Sequence, residues 1–252
     1  MRELKLIALP GIPEVTPHAA LCDLLVVAIA RAGMTLQVGD VLVLAQKIVS
    51  KAEGRLFTVS DVTPSSRALD IAREAGKDPR IVELMLRESR KVLRVKPGVI
   101  IVEHKLGFVM ANAGIDQSNV PGGDEAVLLL PEDPDASARK LRDELRAATG
   151  AEVGVLIIDS FGRAWRNGVT GTAIGVAGMP ALVDLRGKND REGRTLQVTQ
   201  VAAADELAAA ASLVMGQADE GTPAVLVRGF PYAKCEGSVK ALLRPEAEDL
   251  FR

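Results

Sequence analysis

VGVLIIDSFGRAWRNG, residues 153–168, frames the reading of the chain. Residues 153–158 are almost wholly apolar and follow Gly150, so 153–160 reads as a buried strand. Asp159 comes next, and its carboxylate should emerge where the strand leaves the sheet. Ser160 adds a hydroxyl beside it. Carboxylates and hydroxyls are hard oxygen ligands suited to magnesium or manganese next to phosphate oxygens. Capping a turn is the plainer role for the same pair. The passage from here to about Gly193 reads as polar and glycine-rich, with Arg163, Arg166, Arg186 and Lys188 as donors.

GFVMANAGIDQSNV, residues 107–120, repeats the pattern. An apolar run gives way to Asn112, Gly114, Asp116, Ser118 and Asn119. Turn chemistry accounts for part of this, because Asn, Gly and Asp tolerate unusual backbone angles and bond their own backbone. A second acidic side chain at a strand exit makes joint metal binding by Asp116 and Asp159 attractive. AQKIVSK (45–51) carries Lys47 and Lys51, which share one face if the segment is helical. TGTAIGVAG (170–178) has glycines close enough to admit phosphate to backbone amides, or merely to build a tight strand.

The remaining segments alternate between strand and helix signals. Strands are expected at 3–9, at the start of 39–55, at 98–104 and 106–112, at 126–131 and at 223–229. Helices are expected over 19–32, stopped by Gly33, and over 63–76, with Thr63 as cap and Gly76 as stop. Asp78-Pro79 starts another, reaching about Arg90. Asp135 or Ser137 caps one that ends near Gly150 with Leu141, Leu145 and Ala148 inward, and 205–217 forms the last. The mixture supports α/β or α+β, with a boundary near 65–95 or after 193. Aromatic residues make up only 3% of the chain, so the core must be aliphatic.

A formal charge of −2 without a basic block argues against a phosphate-neutralising nucleic-acid binder. Cys22 sits in an apolar segment and reads as a buried thiol. Two cysteines in 252 residues make no disulfide framework. The apolar run at 24–30 is too short to span a bilayer, and the expected location is the cytoplasm. HExxH, CxxC, GxSxG, the P-loop and GxGxxG are all absent from the sequence. His18 and His104, the only histidines, cannot make a histidine-rich zinc site; each is weighed as a substrate contact or a local structural residue.

Several stretches together resemble one family, the coenzyme F420-0:L-glutamate ligases, or gamma-glutamyl ligases. They are LPGIPEV (9–15), GDVLVLAQKIVSKAEGR (39–55), MANAGIDQSNV (110–120), LLPEDPDASA (129–138), IDSFGRAWRNGVTGTAIGVAG (158–178), LVDLRGKND (182–190) and LVMGQADEGTPAVLVRG (213–229). The resemblance spans almost the whole chain. It implies a mixed α/β (α+β) two-domain fold with largely antiparallel or mixed sheets, used as an intimate homodimer. It implies GTP-dependent ligation of L-glutamate to the carboxylate of F420-0, a deazaflavin coenzyme precursor, through an acyl phosphate. It further implies a requirement for magnesium or manganese, with potassium able to support activity.

Carried to this sequence, the resemblance places metal ligands at Asp116, Asp159, Ser160 and Gln217. Nucleotide contacts fall at Leu9, Pro10, Gly11, Ile12, Gln46, Lys47, Lys51, Asn119, Met215, Gly216, Gln217, Ala218, Asp219, Glu220, Gly221 and Thr222. The catalytic set is Asp116, Asp159, Lys47, Lys51 and Arg163. Gln217 is neutral, and Asp219 or Glu220 stands near enough in sequence to compensate. Some bacterial relatives carry a further flavin oxidoreductase domain, and the expectation here is ligase activity alone. The competing readings are another metal- and nucleotide-dependent acyl ligase or phosphotransferase, or a non-enzymatic GTP-binding regulator.

Overall fold

A computed structural model describes residues 3–118 and 123–249. In chain order its first half contains β1 (Lys5–Ala8), α1 (Leu21–Arg31), β2 (Val41–Ala45), α2 (Gln46–Ala52), β3 (Leu56–Thr58), α3 (Ser66–Ala75), α4 (Pro79–Arg87), β4 (Ser89–Lys96), β5 (Val99–His104) and β6 (Val109–Ala111). The second half contains β7 (Ala126–Leu128), α5 (Pro134–Thr149), β8 (Gly154–Arg163), β9 (Arg166–Ala177), β10 (Val183–Asp184), β11 (Gln200–Val201), α6 (Ala203–Met215) and β12 (Ala224–Arg228). Among the described residues no helix is long and apolar enough to cross a membrane.

The largest sheet has the order β1-β12-β2-β8-β9. Only β2 and β8 run parallel; the other neighbours are antiparallel. Residues 41–44, 154–158 and 224–227 are buried without alternation, because helices cover both faces. The expected buried strand at 153–160 is the core of this sheet, but it continues to Arg163 and turns back as β9. Within the glycine-rich passage, residues 166–177 form a 12-residue strand, so the tight-strand alternative for 170–178 is the one observed.

Gly171 and Gly175 serve packing. A Cβ at Gly171 would lie 2.4 Å from the Ala208 carbonyl of α6, and one at Gly175 would lie 2.4 Å from the Pro134 carbonyl of α5. Two strand residues four apart normally share a face. Here a register shift opposite Ile157 and Ile158 leaves Ile174 as an extra residue, so the two glycines meet different helices. Asp205 on α6 accepts the Ala173 amide at 2.9 Å, and Asp135 on α5 accepts the Val176 amide at 2.8 Å. Both helices thus dock on β9 through backbone groups and block further pairing along this edge.

A three-stranded antiparallel sheet, β4-β5-β6, packs with α3 and α4 around its own core of Ala68, Ala72, Val82, Met85, Ile100, Val102 and Ala113. From β6 the chain makes a left-handed turn, with φ of 53°, 54° and 65° at Asn112, Ala113 and Gly114. The Asn112 side chain steadies it by accepting the Ile100 amide at 3.1 Å. Gly114 has a double reason to be glycine: a Cβ there would lie 2.6 Å from Met110 Cε and 3.0 Å from Leu130 Cδ1. Gly114→Ala is expected to destabilise the fold by about 2 kcal/mol. Urea unfolding of the variant checks this, and an unchanged midpoint would contradict it.

Several sequence expectations shift by a few residues. Ser65, not Thr63, caps α3, its hydroxyl accepting from Ala68 N. Asp133, not Asp135 or Ser137, caps α5, while Asp135 turns inward to β9. Ala148 is exposed, leaving Leu141 and Leu145 on the buried face. Helix α4 stops at Arg87 because β4 begins at Ser89, a strand the sequence reading did not anticipate.

Candidate functional site

The C-terminal ends of β2 and β8, the parallel pair, open into a cleft of about 550 Å3. Ligand sites in mixed and parallel sheets favour this end, where loops diverge from the strands. Residues 12–15, the start of α2, the 116–118 turn and the 215–223 loop complete its walls.

Strand β2 passes into α2 without a connecting loop, so Gln46, Lys47 and Lys51 arrive on the cleft wall together. The four-residue spacing does carry both ammonium groups to the same side. Lys51 is largely buried and bonds Glu14 Oε1 at 2.5 Å. Gln46 is 1% exposed. Its Oε1 accepts from Ser50 Oγ at 2.8 Å, while its Nε2 has no partner among the described residues. A buried amide donor without an acceptor costs about 1–3 kcal/mol, a cost that an oxygen entering the cleft beside Nε2 would relieve.

Asp116 leaves the left-handed turn and forms a two-bond bridge with Leu128, its N–H donating at 3.0 Å and its carbonyl accepting at 2.8 Å. The side chain closes an Asx turn: Oδ1 accepts from Ser118 N at 2.7 Å and Ser118 Oγ at 2.8 Å. Its Oδ2 receives Lys47 Nζ at 2.8 Å. The polar run after β6 is thus both a turn and a means of fixing a carboxylate.

Asp159 lies one residue beyond the last fully buried position of β8. Burial pushes its carboxyl up to about 6. The Ser160 amide and Lys47 ammonium pull it down, whereas the negative charge of Asp116 adds to the rise. Ser160 Oγ donates to Gln217 Oε1 at 2.7 Å, tying β8 to the loop after α6. That loop is braced internally, by Glu220 accepting the Ala218 amide at 2.8 Å and by Thr222 Oγ1 donating to the Met215 carbonyl at 2.8 Å.

Among the described residues no three acidic, histidine or cysteine side chains cluster as metal ligands. The donors present are two interacting carboxylates, a hydroxyl and an amide oxygen. An all-oxygen set with two negative charges suits magnesium or manganese and disfavours zinc. The residues therefore fit the divalent ion that the resemblance implies.

Ile12, Gln46, Lys47, Lys51, Asp116, Asp159, Ser160 and every residue of 215–222 line the cleft. Leu9, Pro10 and Gly11 do not: Leu9 is fully buried in the core, and the Gly11 carbonyl accepts from Arg31. Arg163 is at the exposed end of the β8–β9 hairpin, away from the cleft wall. Asn119 lies outside the described residues. His104 is buried at the end of β5 and His18 sits in an exposed turn before α1, so neither lines the cleft. The sequence reading missed Glu14 and the cleft role of Ser118. An Asp-x-Ser pair at 116–118 is a legible Asx-turn signal, whereas nothing local marks Glu14.

A family model, F420-0:Gamma-glutamyl ligase, matches residues 11–229. The chain is 49% identical over 251 residues, 99% of each chain, to the coenzyme F420:L-glutamate ligase of Methanothermobacter thermautotrophicus. It is 51% identical over 221 residues to that of Methanopyrus kandleri, covering 86% of this chain and 87% of the relative. It is 43% identical to that of Haloarcula marismortui over 97% of this chain and 95% of the relative.

Proposed function

This chain belongs to the F420-0:gamma-glutamyl ligase family, and from that premise we propose that it joins L-glutamate to the carboxylate of coenzyme F420-0 at the expense of GTP. The observation that supports this most directly is the meeting of Asp116, Asp159, Lys47 and Lys51 at the ends of the parallel strands. Paired carboxylates facing paired ammonium groups suit a nucleoside triphosphate with its counter-ion.

A carboxylate is a poor acyl donor, because oxide cannot leave. Transfer of the γ-phosphoryl group breaks its bond to GDP and forms an acyl phosphate on F420-0. The glutamate amine then attacks the acyl carbon, the C–N bond forms, and phosphate leaves with the C–O electron pair. Lys47 and Lys51 hold phosphate oxygens and spread their charge, and Gln46 Nε2 donates to another acceptor on the nucleotide. Asp116, Asp159, Ser160 and Gln217 would hold magnesium or manganese. When bound, that ion neutralises phosphate charge.

Potassium as an activating ion, addition of further γ-linked glutamates, two subdomains and a homodimer belong to the same reading. The separate small core around α3, α4 and β5 supports the subdomains.

The test is product analysis with F420-0, GTP, L-glutamate and manganese. GTP should disappear in step with glutamylated coenzyme, and GTP consumption without that product would overturn the assignment. GTP should also outperform ATP in kcat/KM. The lysines read only phosphate, so equal efficiency would defeat guanine specificity and leave ligation intact.

A further inference from the structure

Lys47 is more than a cation facing the cleft. Its Nζ donates to Asp116 Oδ2 at 2.8 Å, to Ser118 Oγ at 2.6 Å and to the Ser118 carbonyl at 3.1 Å. Three donors therefore meet three acceptors. Asp116 is equally occupied, since Oδ1 takes both Ser118 donors. A divalent ion approaching Asp116 meets an oxygen already held by an ammonium and a like charge directly beside it.

We propose that Lys47 and the divalent cation are alternative partners of Asp116, and that Ser118 keeps the displaced ammonium beside the site for a phosphate oxygen. The inference rests on the reading of Asp116 as a cation ligand. Losing Asp116 leaves Lys47 two acceptors, both on Ser118, and one free N–H. A phosphate oxygen restores the third bond. Cation and nucleotide then favour each other, because each makes the partner exchange less costly for the other. Ser118 is in this scheme a positioning residue, acting through Lys47 and Asp116.

Calorimetric titration of the full chain with manganese chloride alone tests the exchange. Lys47→Met should bind manganese about tenfold more tightly than the parent, because a competitor for Asp116 is gone. Lys51→Met removes the same charge from the same cleft, but Lys51 pairs with Glu14, so its gain should stay within about threefold. Equal gains in the two variants, or none in Lys47→Met, would overturn the exchange. Asp116→Asn separates the two ideas. If it binds manganese as the parent does, the cation-ligand reading falls, and the exchange with it. If it binds weakly while Lys47→Met is unchanged, only the exchange falls.

The tether has its own readout. Ser118→Ala should raise the KM for GTP about tenfold with little change in kcat, and Ser118→Thr, which keeps the hydroxyl, should restore it. Identical behaviour of the two variants would exclude a role for the hydroxyl.

Discussion

Asp159→Asn should lower the rate of glutamate ligation at least about a hundredfold, and Asp116→Asn should do the same. A few kcal/mol of lost transition-state electrostatics suffices for that. Each change removes one negative charge with little change of shape. Their effects on stability should differ. Asp159 is ionised at neutral pH against the cost of burial and the field of Asp116, so its amide variant should unfold no more readily than the parent. Asp116→Asn instead deprives Lys47 of its anionic partner and should cost about 1 kcal/mol or less, as expected for a partly exposed pair. A loss of activity without a loss of stability at Asp159 identifies a charge kept for function. Near-parental rates across a manganese titration would remove either residue from the reaction.

The candidate site was readable where local chemistry announces it. Asp159 closes an apolar run, and Asp116 follows Asn and Gly in a pattern that has no place inside a strand. The four-residue spacing of Lys47 and Lys51 puts them on one face of a helix, and the family resemblance supplies their place in the site. Glu14 was missed, because its partner lies 37 residues away and nothing near it suggests an ion pair. Sequence order alone also could not show that residues 116, 159 and 217 share one cleft. The register of β2 against β8 sets the start of α2 beside Asp159, Lys47 on that helix reaches Asp116, and Ser160 reaches Gln217.

The fold was readable in its helices and buried strands and misread where side-chain pattern and backbone role diverge. In β9 the composition of 170–178 suits a phosphate-binding turn as well as a tight strand, and what decides is tertiary: Gly171 and Gly175 are small because α6 and α5 press their carbonyls against the strand. In β4, SRKVLRVK, the charged residues hide the alternation. The strand pairs with β5 through two register shifts, which break the simple two-residue period. The cap of α5 was displaced for a related reason. Asp135 has the right residue type for a cap, but its carboxylate serves the Val176 and Val239 amides and the Ser238 hydroxyl instead.

Acid should weaken this protein between about pH 6.5 and pH 4 through His104. The imidazole is 2% exposed, and burial with the nearby cations Lys105, Arg55 and Arg90 holds its pKa down to about 4. Nδ1 accepts the Leu106 amide at 3.0 Å, so the neutral ring carries its proton on Nε2, which finds no partner among the described residues. Glu88 is 3.9 Å from Nε2, but its Oε2 is already engaged by Arg55 at 2.7 Å. In the unfolded chain the same histidine protonates near 6.5. The unfolded state therefore binds the extra proton first as pH falls. Stability is full above about 6.5, declines through the window, and is lost to the extent of about 3 kcal/mol near pH 4. Asp159 works in the opposite direction, since its raised carboxyl takes up a proton more readily in the folded protein. Comparing the parent with His104→Gln at pH 7.5 and pH 5 by urea unfolding cancels that contribution. The parent should lose more stability than the variant over this interval. Equal losses would mean that His104 accepts a proton in the fold as readily as in the unfolded chain, and that Glu88 is free enough to receive it.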